Sequence, residues 1–312
     1  MGSANPDNCV AMATGQVRAA QALRDDLLAA LFPHSGSAPS ELLQSRVKLK
    51  LKSLTLGIER ALLKSGPEQH QSWNMLSESG LLREGALVDF ALSRIAEDKL
   101  QNALQSVVKS SVLNQLPVVL LGHSNERLAA IARTLLHAEH VAATDDAILY
   151  HRLDSELLHL LCWRVVAALL ECQAADADTL SNAANALLAE HHNDLNPLAI
   201  ARKVVFFLGP EYRVSMRDPR SSGLLLFVAW MDRDYDLGCD FILRLIGGGH
   251  VAPLLLLLKG QETETDTALE IVIALRSAFG NSDMPDIRDA YLALDPIEAR
   301  VAIETWRENF RL

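Results

Sequence analysis

The chain has 312 residues, a formal net charge of −10, 49% hydrophobic residues and 5% aromatic ones. A chain of this size holds one large domain or two ordinary ones. Its charge works against polyanionic ligands, because nonspecific nucleic-acid binding rests on attraction to phosphates.

Residues 1–14 show no periodic pattern and are expected to be a disordered tail. From 16 to 32, Val17, Ala20, Leu23, Leu27, Leu28 and Leu31 recur at helical spacing until Pro33 stops the helix, and HSGSAP (34–39) reads as a loop. Between 41 and 64, Val47, Leu49 and Leu51 alternate with Lys48, Lys50 and Lys52 as they would on a strand. The wider set Leu43, Val47, Leu51, Leu54, Ile58 and Leu62 keeps helical steps of three and four, and no second strand is near enough to pair, so a helix is expected. A short helix and turn follow at 67–80, then a long helix at 84–108 with Leu87, Phe90, Ala91, Ile95, Leu100 and Leu104 as its stripe. Asn114 to Pro117 marks the expected boundary between an N-terminal helical subdomain, 15–113, and a second subdomain, 114–312.

The second part opens on LPVVLLGHSNERLAAIARTLLHAEH (116–140). Here a short apolar element ends at Gly122, and Ser124 or Asn125 caps a helix whose buried face is Leu128, Ile131, Ala132, Leu135 and Leu136. Residues 154–174 leave almost no polar face, which places that helix at the centre of the fold. Asn196-Pro197, Asp218-Pro219 and Asp295-Pro296 each set a cap residue before a proline at the first helical position. Further helices are expected at 239–246, 251–259, 264–279, 285–294 and 296–310. Starts near 196, 218, 240, 263 and 285 fall roughly 22 apart, or about 44 per helix pair, within the period of HEAT-type repeats. The fold expected is all-α: stacked helical hairpins in a HEAT-like α-solenoid, with an N-terminal helical bundle.

No coherent catalytic set emerges. Asp232, Asp234, Asp236 and Asp240 alternate as in a calcium loop, but Leu237 occupies the glycine position and Leu243 the glutamate position, so a solvated turn is the better reading. His137 and His140 could share a helix face, yet no HExxH motif accompanies them or His151, His159, His191 and His192. Gly247-Gly248-Gly249 lacks the preceding strand and following lysine of a phosphate loop and reads as a helix stop. RDPRSSG (217–223) is similar to loops that bind cyclic dinucleotides, but Arg220 stands where serine is needed and those loops belong to a β-barrel. No GxSxG is present, and Cys9, Cys162, Cys172 and Cys239 lack the short spacing of zinc or redox motifs. The expectation is therefore no enzyme, no cofactor and no metal. Arg46, Lys48, Lys50 and Lys52 form the strongest local departure from the acidic average. Alternate positions cannot all share one helix face, so some of these stems must lie on the apolar stripe, and they become the candidate contact for an acidic partner.

Four stretches, SRVKLKLKSLTLGIERALL, SESGLLREGALVDFALSRIAEDKL, LPVVLLGHSNERLAAIARTLLHAEH and YLALDPIEARVAIETWREN, resemble in that order a bacterial family catalogued as domain of unknown function 2336. The likeness covers residues 40–310. It implies an all-helical, HEAT-like protein of the bacterial cytoplasm and brings no activity or catalytic residue to carry over.

The function expected is a noncatalytic scaffold for a protein partner, itself a homo-oligomer, with no membrane span and a reducing, cytoplasmic location. A mean hydropathy of +0.12 supports apolar surface covered by a partner or a second copy. The alternatives weighed are a HEAT-like nucleic-acid binder using the basic residues of 48–60, disfavoured by net charge, and a histidine phosphorelay component.

Overall fold

Every regular element among the described residues is helical, as a chain rich in Leu and Ala requires. The computed structural model describes residues 6–31, 41–64, 71–82, 84–107, 116–144, 146–191, 196–279 and 287–310. Helices α1 (Pro6–Leu31), α2 (Glu41–Leu63), α3 (Gln71–Ser79) and α4 (Gly85–Val107) precede the short α5 (Leu116–Val119). Next come α6 (Glu126–Thr144), α7 (Ser155–Glu171), α8 (Ala177–Glu190) and α9 (Pro197–Phe207). The chain continues through α10 (Arg213–Met216), α11 (Pro219–Ser222), α12 (Leu224–Tyr235), α13 (Cys239–Gly247) and α14 (Ala252–Gly260). It ends in α15 (Thr265–Ala274), α16 (Ile287–Ala293) and α17 (Pro296–Phe310). Among the described residues no helix is long and apolar enough to cross a membrane.

By proximity the chain falls into two units that interleave along the sequence. Met1–Ala22, Ser93–Leu136 and Ala201–Leu312 form one; Leu23–Leu92 and His137–Ile200 form the other. This is a different partition from the linear one expected at 113/114, and residues 108–115 at that break lie outside the described set.

The unit of Leu23–Leu92 and His137–Ile200 is built on α2. Its buried stripe Val47, Leu51, Leu54, Ile58 and Leu62 packs against α3, α7, α8 and the 3-10 turn Asp146–Arg152. Helical steps of three and four thus win over the local alternation of Leu and Lys. Glu59 is buried in the same stripe and accepts hydrogen bonds from the Ser72 amide (3.1 Å) and hydroxyl, so a carboxylate of α2 satisfies a free donor in the first turn of α3. Asp154 caps α7 by accepting from the Leu157 amide at 2.7 Å. Contrary to the sequence expectation, α7 is not buried all round: Glu156, His159, Ala167 and Leu170 line an exposed face. They sit at steps of three, eight and three, close enough to whole turns to give the helix a solvent side despite its leucines.

In the other unit the helices buried on every side are α12, whose residues from Leu224 to Met231 are all buried, and α14, buried from Ala252 to Leu258. Helices α13, α15 and α17 pack against α14, and α11, α13 and α17 against α12. The first helix starts earlier than expected. Cys9, Ala13 and Val17 are buried at four-residue steps, so the apolar stripe assigned to 17–31 already begins within the expected tail, of which residues 1–5 lie outside the described set. The three Asx-Pro starts hold: Asn196 accepts from the Leu198 amide (3.1 Å), Asp218 from Arg220 (2.9 Å) and Asp295 from Ile297 (2.7 Å). Asn125, of the two candidates, caps α6, accepting from Arg127 at 3.0 Å.

A charged side chain ties α4 to α13. Arg94, 2% exposed, donates to Glu97 on its own helix and to Asp240 in the first turn of α13. At Ala96, the residue before Glu97, the two backbones nearly touch: a Cβ built on Gly247 falls 2.9 Å from the Ala96 Cα. Glycine is required there by space, since its φ is not in the left-handed region. Gly247→Ala is therefore expected to destabilise the protein by about 1–3 kcal/mol through overpacking, although alanine ordinarily favours a helix by up to about 1 kcal/mol. Urea denaturation of the two proteins reads the sign directly.

Candidate functional site

The acidic run does not assemble into a cation site. Asp232 accepts from Arg202 (2.7 Å) and the Gly238 amide (2.6 Å), Asp234 from Gln261 (3.0 Å), and Asp240 from Arg94, while Asp236 is the left-handed C-cap of α12. The carboxylates of Asp232, Asp234 and Asp240 thus each go to different donors. Among the described residues no group of three or more His, Cys, Asp or Glu is placed to hold a metal ion. The glycine run ends α13, with Gly249 at φ 91°. All four cysteines are free thiols, and burial pushes Cys162 up to about 11 and Cys239 up to about 12.

The basic residues of α2 divide between two faces. At about 100° per residue, Arg46 and Lys50 share one side of the helix and Lys48 and Lys52 another. Arg46 and Lys48 are exposed, Lys50 and Lys52 half-buried. His137 and His140 are exposed on α6, and His192 lies outside the described residues. His159 accepts from the Trp163 indole at 3.2 Å.

Two concave features stand out in the unit that contains α10 to α17. One is an apolar groove of about 510 Å³ between α1 and α17, walled by Val10, Ala11, Ile297, Val301 and Ala302. Ile297 is 72% exposed and Val301 58%, so large apolar groups face solvent here at a four-residue step. Beneath them the Trp306 indole donates to Thr14 (3.4 Å), joining the two helices.

The other is a cavity of about 290 Å³ where Arg213, Arg217, Arg300 and Arg307 meet Asp234 and Glu304. Arg300 is held by the Gly260 carbonyl and Glu262, both at 2.8 Å, and Arg307 by Glu304 at 2.8 Å. Among the described residues Arg217 Nε and the Gln261 side-chain oxygen are buried without a hydrogen-bond partner. Burial, and after it the Arg213 cation, push Arg217 below the usual guanidinium range. Burial also raises Asp234, against the opposing hydrogen bond from Gln261. Gly260 on α14 makes room for the Tyr235 side chain in the cavity wall, because a Cβ there would lie 2.6 Å from the Tyr235 hydroxyl.

No family model matches the chain, and neither a curated protein nor a solved structure matches it at a significant level. The site therefore has to be argued from its geometry. Sequence reasoning singled out Arg217 within RDPRSSG but missed Arg213, Arg300 and Arg307. Their signal was present as cations at i,i+4 and i,i+7, spacings that return to one helix face.

Among the histidines, His151 and His191 pair within one unit, their rings 6.3 Å apart and nearly parallel at 13°. Burial first, and His191 second, lower His151 from its ordinary 6.5. The folded chain thus resists the proton that the unfolded chain accepts, so stability present above that ordinary value is lost as pH falls through it, until the lowered folded value is passed. Melting temperature is expected to drop between about pH 7.5 and 5.5, and His151→Gln to flatten that slope.

Proposed function

We propose that this chain is a noncatalytic helical scaffold that captures an apolar protein segment in the groove between α1 and α17. The observation that carries this reading is the exposed Ile297 and Val301 pair, which sits beside Val10 and Ala11 in a concave face. Monomeric proteins rarely leave such a patch open, and an apolar groove between helices suits an amphipathic helix laid along it. A second copy of the chain is one source of that segment, which keeps homo-oligomerisation within the proposal. Arg46 and Lys48, exposed on α2, offer a separate contact to an acidic partner surface.

The finer architectural reading belongs to the same proposal: HEAT-like stacking of helix pairs, a division into 15–113 and 114–312, and kinship with the family of unknown function that the helix-and-turn pattern resembles. Helix starts at Pro197, Pro219, Cys239 and Thr265 support the repeat spacing, while α10, α12 and α14 interrupt it. Four free thiols fit a reducing, cytoplasmic location.

The test replaces Val301 by Glu, a change the exposed position tolerates. Sedimentation velocity over a tenfold concentration range, with capture of interacting proteins from native lysate, is run on both forms. The expected outcome is weaker self-association or loss of captured proteins in Val301→Glu, at an unchanged helical circular-dichroism spectrum and melting temperature. A wild type that stays monomeric and captures the same proteins as the variant overturns the proposal.

A further inference from the structure

The arginine cavity is not absorbed by a role for the apolar groove, and it rests on different residues. Four guanidinium groups face two carboxylates in a chain whose total charge is −10. Local structure accounts for only half of them. Arg300 closes the Gly260 carbonyl at the end of α14, and Arg307 pairs with Glu304 one turn back on α17. Arg213 and Arg217 make no hydrogen bond or ion pair among the described residues, though Arg217 Nε is buried and Asp234 lies in the same wall. Like charges four residues apart repel, and the partial burial of Arg217 adds desolvation to that cost, which the nearby charges of Asp234 and Glu262 offset only in part. Such an arrangement is stable as a structure only at a loss that a bound anion reverses.

We propose that the cavity lined by Arg213, Arg217, Arg300 and Arg307 is a binding site for a small multiply charged phosphate-class oxyanion, a phosphate ester or a polyphosphate. Planar guanidinium forks match phosphate oxygens two at a time and are weakly hydrated, so they suit a half-enclosed site better than lysine does. The volume of about 290 Å³ suits one or two phosphoryl groups with a small substituent rather than a polymer. No stacking platform for a base completes the wall: the one aromatic lining residue, Tyr235, has its hydroxyl committed to the Leu257 carbonyl at 2.7 Å. Recognition is therefore of charge. A dicarboxylate such as succinate carries less charge than pyrophosphate and fewer oxygens to meet the guanidinium forks, and binds less well.

The test titrates the full chain with inorganic pyrophosphate by calorimetry at constant ionic strength, with orthophosphate and succinate in parallel. Pyrophosphate is expected to bind below about 1 mM, more tightly than succinate, and to raise the melting temperature. Arg217→Gln and Arg213→Gln are each expected to weaken it at least about tenfold, whereas Arg133→Gln, exposed on α6 and outside the cavity, leaves it unchanged. Arg217→Lys, which keeps the charge but not the fork, falls between. Because Arg217 is partly buried and makes no hydrogen bond among the described residues, Arg217→Gln should not lower the melting temperature of the unliganded chain, whereas loss of a purely structural arginine would. The proposal is overturned by absence of binding at about 10 mM pyrophosphate, by succinate binding as well as pyrophosphate, or by binding that survives Arg217→Gln. None of these outcomes depends on whether the apolar groove binds a protein.

Discussion

Helix α14 sets the terms for the unit around it. Its sequence APLLLLLKG is buried from Ala252 to Leu258, so no face is left for water and neighbours must surround it. Helices α13, α15 and α17 do so, and α12, buried along Leu224 to Met231, adds a second apolar rod that also meets α13 and α17. Nonpolar burial of this kind is strong but unspecific in direction. Polar contacts fix the register: Tyr235 donates to the Leu257 carbonyl, Arg300 to that of Gly260, and Lys259 to that of Tyr291, whose own hydroxyl donates to Thr263 at 2.6 Å. Two of these acceptors, the carbonyls of Leu257 and Gly260, lie in the last turn of α14, where positive charge is favoured.

That observation also separates the arginines. Helix-end chemistry explains Arg300, and an ordinary pair within one helix explains Arg307. Neither reason extends to Arg213 and Arg217, which reach the same cavity from the α10 segment and, among the described residues, make no hydrogen bond to a carbonyl or carboxylate, although the charge of Asp234 acts on both. The contrast with Arg94 is instructive, because that guanidinium is more deeply buried yet holds Glu97 and Asp240. Arg94 serves packing and is matched by carboxylates, whereas the half-buried Arg217 and the exposed Arg213 stand at a concave opening.

What the sequence revealed followed the range of the interaction involved. Caps are local: an Asp or Asn before proline satisfies amides two residues away, and Asn196, Asp218 and Asp295 all do so in the structure. Helix stripes are nearly as local, which is why α2 could be read through its lysines. Which apolar helix lies deepest depends on neighbours far along the chain, and there leucine content misled: α7 has as oily a sequence as α12 but keeps a solvent face at Glu156, His159, Ala167 and Leu170. The arginine cavity was the least legible feature, because residues 213–217, 234, 260–261 and 300–307 meet only after the helices have stacked. No single window carries that information. The interleaving of the two units follows from the same long-range packing.

Helix α17 shows how much of the functional surface hangs on one orientation. Turning by about 100° per residue, its side chains divide into three arcs. Ile297, Val301 and Thr305 form one; Ala302, Trp306, Ala299 and Ile303 the next; Arg307 and Arg300 the third. The middle arc is buried, with Trp306 and Ala299 fully enclosed, and packs on α14. Rotation is thereby fixed, since an indole cannot be moved to another arc without opening a large void. Once it is fixed, the apolar arc must face the α1 side and the cationic arc the end of α14. An ordinary amphipathic helix spends its second face on solvent. Here the face turned away from the buried tryptophan carries an oily side over the groove and a cationic side over the cavity, with Glu304 between them, so the same packing contact that holds the helix in place gives the molecule two chemically distinct surfaces to offer.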